Sequence, residues 1–81
     1  GRNDGNHAVM ELKRRATPGT ATDAFMSLVA MIDTLNYAVG VFINIDSPET
    51  WADAVPETHR ARIVCLAVHL DANGEPQVVR G

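Results

Sequence analysis

His7-Ala-Val-Met-Glu-Leu-Lys13, followed at once by Arg14 and Arg15, is the stretch on which the reading of this chain turns. Its alternation predicts a strand, on which residues two apart point the same way. His7, Val9, Glu11 and Lys13 therefore share one face, and Ala8, Met10 and Leu12 share the other. Two strongly solvated groups at the close of an otherwise apolar strand are costly unless they pair, bind something or lie at a sheet edge. Glu11 and Lys13 are then either an exposed ion pair, worth little energetically, or an outward-facing site.

Composition bears on that choice. Lys13 is the only lysine, whereas arginine stands at positions 2, 14, 15, 60, 62 and 80. Where surface positive charge alone is needed, this chain uses arginine. A lysine ammonium is compact and its pKa falls on desolvation, which suits proton transfer or the positioning of a nucleophilic water.

With 81 residues, 46% of them hydrophobic, the chain makes at most one small domain with a marginal core, which a partner subunit would help to stabilise. A net charge of −3 argues against a generally basic nucleic-acid coat, but Lys13, Arg14 and Arg15 form a local basic cluster, as do Arg60 and Arg62. The single cysteine, Cys65, lies in an apolar run; it rules out a disulfide framework or a Cys-based zinc site and fits a reducing, cytoplasmic setting. No apolar segment reaches membrane-spanning length.

Before the opening stretch, Gly1-Arg-Asn-Asp-Gly-Asn6 is turn chemistry, with Asp4-Gly5 or Asn6 suited to a hairpin tip. A hairpin needs an incoming strand, so the domain is expected to be incomplete at its N-terminus or to take a strand from a neighbouring chain. After it, Ala16–Thr20 breaks the strand, and Thr20 or Thr22 is expected to cap a helix from Ala21 to about Asn36. Phe25, Leu28, Val29, Ile32 and Leu35 form its apolar stripe, and Met26, Ala30 and Met31 widen it. A stripe that wide predicts cover on more than one side, by the sheet and by another element or subunit.

Ala38–Ile45 is a continuous apolar run, as expected of a strand buried on both faces. Pro48 is expected at the first position of a short helix through Trp51 and Val55, with a further turn over Glu57–Arg62. Ile63–Leu70 reads as a second buried strand, and Asp71–Pro76 as a turn into a last strand, Gln77–Val79. Strand-helix-strand connections of this length are right-handed parallel crossovers. The fold class is α/β: a small mixed sheet with a long helix crossing between parallel strands.

A strand ending in Glu11-Leu12-Lys13, preceded by a turn-rich hairpin and followed by a capped helix and an apolar parallel strand, resembles the core of the PD-(D/E)XK nuclease superfamily, over roughly residues 4 to 46. The resemblance implies a restriction-endonuclease-like fold, a catalytic Glu11 and Lys13, and a Mg²⁺ ion held by Glu11 and by an acid on the preceding strand, for which Asp4 is the candidate. Asp4 lies only seven residues upstream, and it also suits a hairpin turn. No glutamine occurs in the long helix, where several branches of the family carry one. The chemistry is intelligible on its own terms: Mg²⁺ takes one or two carboxylates, a phosphate oxygen and waters, and Arg14 and Arg15 would hold flanking phosphates of DNA.

The remaining candidates have plainer readings. His7 reads as a surface histidine, His59 as solvated among arginines, His69 as a hydrogen-bonded strand residue, and Trp51 as the anchor of the short helix. Asp46 and Ser47 lie at the carboxyl end of a parallel strand, where α/β sheets bind ligands, and helix capping explains them equally well. The leading expectation is a Mg²⁺-dependent DNA phosphodiesterase. The competing one is an inactive interaction module of the same fold, forming a homo-oligomer through its apolar helix.

Overall fold

A computed structural model describes residues 6–81. Four strands, β1 (Asn6–Arg14), β2 (Tyr37–Ile45), β3 (Ile63–Leu70) and β4 (Pro76–Arg80), form one sheet in the order β1-β2-β3-β4. The first three are parallel, and β4 returns antiparallel to β3. The helix α1 (Pro18–Leu35) connects β1 to β2. This is the α/β class and the mixed sheet expected from the sequence, with the long helix between parallel strands.

The helix begins three residues earlier than its hydrophobic stripe suggests, and its cap is Thr17 rather than Thr20 or Thr22. The Thr20 amide donates to Thr17 Oγ1 (3.2 Å), and the Thr17 amide donates to Thr20 Oγ1 (2.8 Å). This is a reciprocal capping box in which threonine does the work of the usual Glu or Gln, followed by proline at the first helical position. Asn36, left-handed at φ 61°, closes the other end.

Ala21, Ala24, Phe25, Leu28 and Ile32 turn the buried stripe of α1 onto the sheet. Phe25 meets Phe42 of β2 edge to face, with centroids 4.8 Å apart. The helix crosses directly over Gly40, where a Cβ would stand 3.3 Å from Leu28 Cδ2. Val55, Ile63 and Cys65 complete the core on this same side.

The expectation that β2 and β3 are buried on both faces is corrected. Alternate residues Gly40, Phe42 and Asn44 lie under the helix, while Val39, Val41 and Ile43 are only half-buried and Ile45 is exposed. β3 repeats the pattern, with Ile63, Cys65 and Ala67 covered and Val64, Leu66 and Val68 half-buried. Helix and connections all pack on one face, and among the described residues nothing covers the other. On the helix, Met26 and Leu35 stay more than half exposed, so the expected cover on a second side is not met among the described residues, and the larger unmet apolar surface belongs to the sheet.

Between β2 and β3 the expected helix after Pro48 is absent. Ser47 Oγ accepts the Glu49 amide (3.1 Å) in a local turn, Trp51 is left-handed at φ 59°, and only Ala52–Ala54 form a 3₁₀ turn. The further turn over Glu57–Arg62 is present as 3₁₀ helix. His59 within it is not solvated: its imidazole is largely covered, with Nε2 2.8 Å from Asp33 Oδ1 on α1 and Nδ1 2.9 Å from Thr58 Oγ1. Among the described residues, no helix is long and apolar enough to cross a membrane.

Candidate functional site

The parity of β1 places Glu11 and Lys13 on one face, as the alternation requires, and the pairing shows which face it is. Glu11 stands level with Phe42 and Lys13 with Asn44, both buried under α1. Val9, on the same face, packs against the core. The outward placement expected of the pair is therefore corrected: both side chains are half-buried on the helix side, while Met10 and Leu12 face the uncovered side. Among the described residues β1 is an outer strand, so the pair also stands beside an open sheet edge.

Neither the Glu11 nor the Lys13 side chain makes a hydrogen bond or an ion pair with any described residue. The plain reading of the two as a mutual ion pair is not what the geometry holds. Among the described residues no three His, Cys, Asp or Glu side chains converge as a metal-binding group, and Glu11 is the one carboxylate on this face of β1. Asp4, the sequence's candidate for a second metal-binding acid, and the hairpin around it lie outside the described residues.

Past the ends of β1 and β2 the two chains leave the sheet together. Arg14 and Ile45 are the last partners in register, and the next residues, Arg15 (φ 50°) and Asp46 (φ 66°), are both left-handed, a conformation that strains non-glycine residues. The Arg15 amide still reaches Ile45 O (2.8 Å), and the Asp46 amide reaches Val68 O (2.7 Å). This fixes Asp46 at the carboxyl end of β2 and brings it to the basic cluster. Arg15 Nε donates to Asp46 Oδ2 at 2.9 Å and Arg14 Nη2 donates to the same oxygen at 3.3 Å. Two guanidiniums on one carboxylate leave a positive charge uncompensated, and both arginine side chains are about two-thirds exposed. Sequence reasoning singled out Arg14, Arg15 and Asp46 separately; their meeting depends on strand pairing across some thirty residues.

Asn44 holds this corner in place from beneath. Its buried carboxamide accepts the Ala16 amide (2.8 Å) and donates to Glu49 O (2.8 Å). Trp51 Nε1 donates to Ala16 O (3.1 Å), so Trp51 anchors the start of α1 rather than a short helix of its own. The sequence offered a signal for Asn44, a lone amide in an apolar strand, which must find partners when buried.

Two depressions adjoin the corner. One, of about 540 Å³, runs between Pro18 and Thr22 of α1 and the Glu49–Ala54 segment. The other, of about 290 Å³, opens on the uncovered side and is lined by Arg14, Ile45, Asp46, Val68, His69 and Leu70. Glu11 and Lys13 line neither. His69 Nδ1 lies 3.3 Å from Leu70 O, in keeping with a hydrogen-bonded strand residue.

No protein-family model matches this chain, and no curated protein or solved structure does.

Proposed function

We propose that this chain is a Mg²⁺-dependent phosphodiesterase domain acting on DNA, built on the PD-(D/E)XK pattern that its Glu11-Leu12-Lys13 strand resembles. One observation carries the reading: a carboxylate and the chain's only lysine stand two residues apart on a half-buried strand face, and neither side chain is hydrogen-bonded or ion-paired with a described residue. Partly desolvated charges without protein partners cost stability with no return, and a site that binds a cation and a phosphate gives them a purpose.

The donor chemistry fits. Mg²⁺ is held by one or two carboxylates together with waters and substrate phosphate oxygens, and Glu11 presents one such carboxylate. When bound, the ion would polarise the scissile phosphate and lower the pKa of an attacking water. Lys13, on the same face, would orient that water and stabilise the charge that builds on the phosphate in the transition state. Arg14 and Arg15, pinned by Asp46 but exposed, would grip neighbouring phosphates without reading bases.

The test is cleavage of plasmid DNA by the chain in MgCl₂. The native chain is expected to nick it, and Glu11→Gln and Lys13→Ala are each expected to slow nicking by at least about a hundredfold with unchanged circular dichroism. Absence of Mg²⁺-dependent nicking by the native chain, or nicking by either variant at the native rate, overturns the proposal.

A further inference from the structure

The uncovered face of the sheet is apolar from β1 to β4. Met10 and Leu12 are 53% and 55% exposed, Leu70 and Val78 are 64% and 67% exposed, and Ile43 and Leu66 between them are half-buried. The middle of the face carries no formal charge. Arg14, tied to Asp46, stands at one end, and Arg80 lies on the outermost strand. Three parallel strands with one bare face are unusual, because parallel sheets are covered on both sides.

Size decides what can cover it. Four strands about 4.8 Å apart and about eight residues long, at roughly 3.3 Å per residue, span on the order of 500 Å² in projection. That is at the upper end of the apolar patches monomers carry. A single helix, about 10 Å across, would cover only two of the four strands. A nucleic acid or an anionic lipid surface would need basic groups across the face, and its centre has none. A second copy of the same sheet has the same extent and meets no like charge at the centre. Two such faces laid together remove on the order of 1,000 Å² in projection, and more in accessible surface, which reaches the roughly 1,200–2,000 Å² of a stable interface.

We propose that two copies of this chain pack back to back through the bare faces of their sheets, with α1 of each on the outside. The contact is isologous, related by a two-fold axis, with the sheets about 10 Å apart. This does not rest on the phosphodiesterase reading: Glu11 and Lys13 lie on the opposite face, and Arg14, at one end of the bare face, is the one residue that both readings use.

Sedimentation equilibrium of the chain over a range of concentrations tests it. A particle of twice the chain mass is expected. Leu12→Glu and Leu70→Glu are each expected to weaken association at least tenfold, while Met26→Glu, on the exposed side of α1, leaves it unchanged. Circular dichroism checks that each variant is folded, and Val78→Glu on the outermost strand replaces either sheet variant that is not. A monomer at every concentration, a dimer that survives the sheet substitutions, or a monomer that instead co-sediments with phosphatidylcholine vesicles overturns the proposal.

Discussion

Asn44 and Ala16 are joined by a hydrogen bond of 2.8 Å from the Ala16 amide to the buried Asn44 carboxamide oxygen, across 28 residues of sequence. The same carboxamide donates to Glu49 O, so one side chain ties the β1–α1 turn to the segment after β2. Asn44→Leu leaves the Ala16 amide and the Glu49 carbonyl without that partner. At about 1–3 kcal/mol for each buried polar group stranded, a loss of about 2–6 kcal/mol is expected in urea unfolding, a large share of what a domain this small possesses.

Glu11 and Lys13 are expected to behave oppositely. Neither side chain has a hydrogen bond or ion pair to lose among the described residues, so Glu11→Gln and Lys13→Ala should change unfolding free energy by no more than about 0.5 kcal/mol. A loss beyond about 1.5 kcal/mol in chemical denaturation would mean that these groups hold the fold together.

Gly40 is where α1 comes closest to the sheet. A Cβ there would meet Leu28 Cδ2 at 3.3 Å, Leu28 Cβ at 3.4 Å and Ile32 Cδ1 at 3.5 Å, and the added methyls of valine would push the helix away. Gly40→Val is expected to cost about 1–3 kcal/mol as overpacking, read as a lowered Tm, although valine suits a strand better than glycine does.

The β3–β4 turn carries an acid-sensitive clasp. Asp71 Oδ1 accepts the amides of Asn73 (2.8 Å) and Glu75 (2.9 Å), and Oδ2 accepts Gln77 Nε2 (3.1 Å). The backbone bonds from Glu75 and Asn73, in that order, hold its carboxyl below the ordinary value of 3.8. A depressed folded-state pKa means that the stabilisation is present above that value and is lost as pH falls through the lower one. Amide exchange in Leu70–Arg80 should therefore speed up on acidification below about pH 4, beyond the intrinsic pH effect. Asp71→Ala should abolish that dependence.

Cys65 titrates in the other direction. Burial pushes its thiol up to about 11 from 9.0, so the protonated form stabilises the fold fully below pH 9.0, and that contribution fades as pH rises toward 11. At neutral pH the native thiol should react with iodoacetamide far more slowly than in urea-unfolded chain. Equal rates would show that the core on the helix side opens readily.

Much of this architecture was legible one element at a time. The 2.0 and 3.6 periods located β1 and α1, and the apolar runs located β2 and β3, because side-chain direction within one element is set by local backbone geometry. Strand parity put Glu11 and Lys13 together for the same reason. The helix starts three residues ahead of its apolar stripe because Thr17 and Thr20 make their capping box without an acidic or amide partner. The turn after Asp46 departs from the helix that Pro48 suggests because left-handed Trp51 leaves no local mark in the sequence.

The sequence by itself determined the α/β class, the order of elements and the pairing of Glu11 with Lys13 on one face. The tertiary structure alone decided that this face looks toward α1, that Arg14 and Arg15 share Asp46, that His59 meets Asp33, and that no described residue covers the back of the sheet. Each of these depends on which strand lies beside which, and on which side the crossovers pass. That choice is made by burial summed over the whole chain, and no short window of sequence contains it.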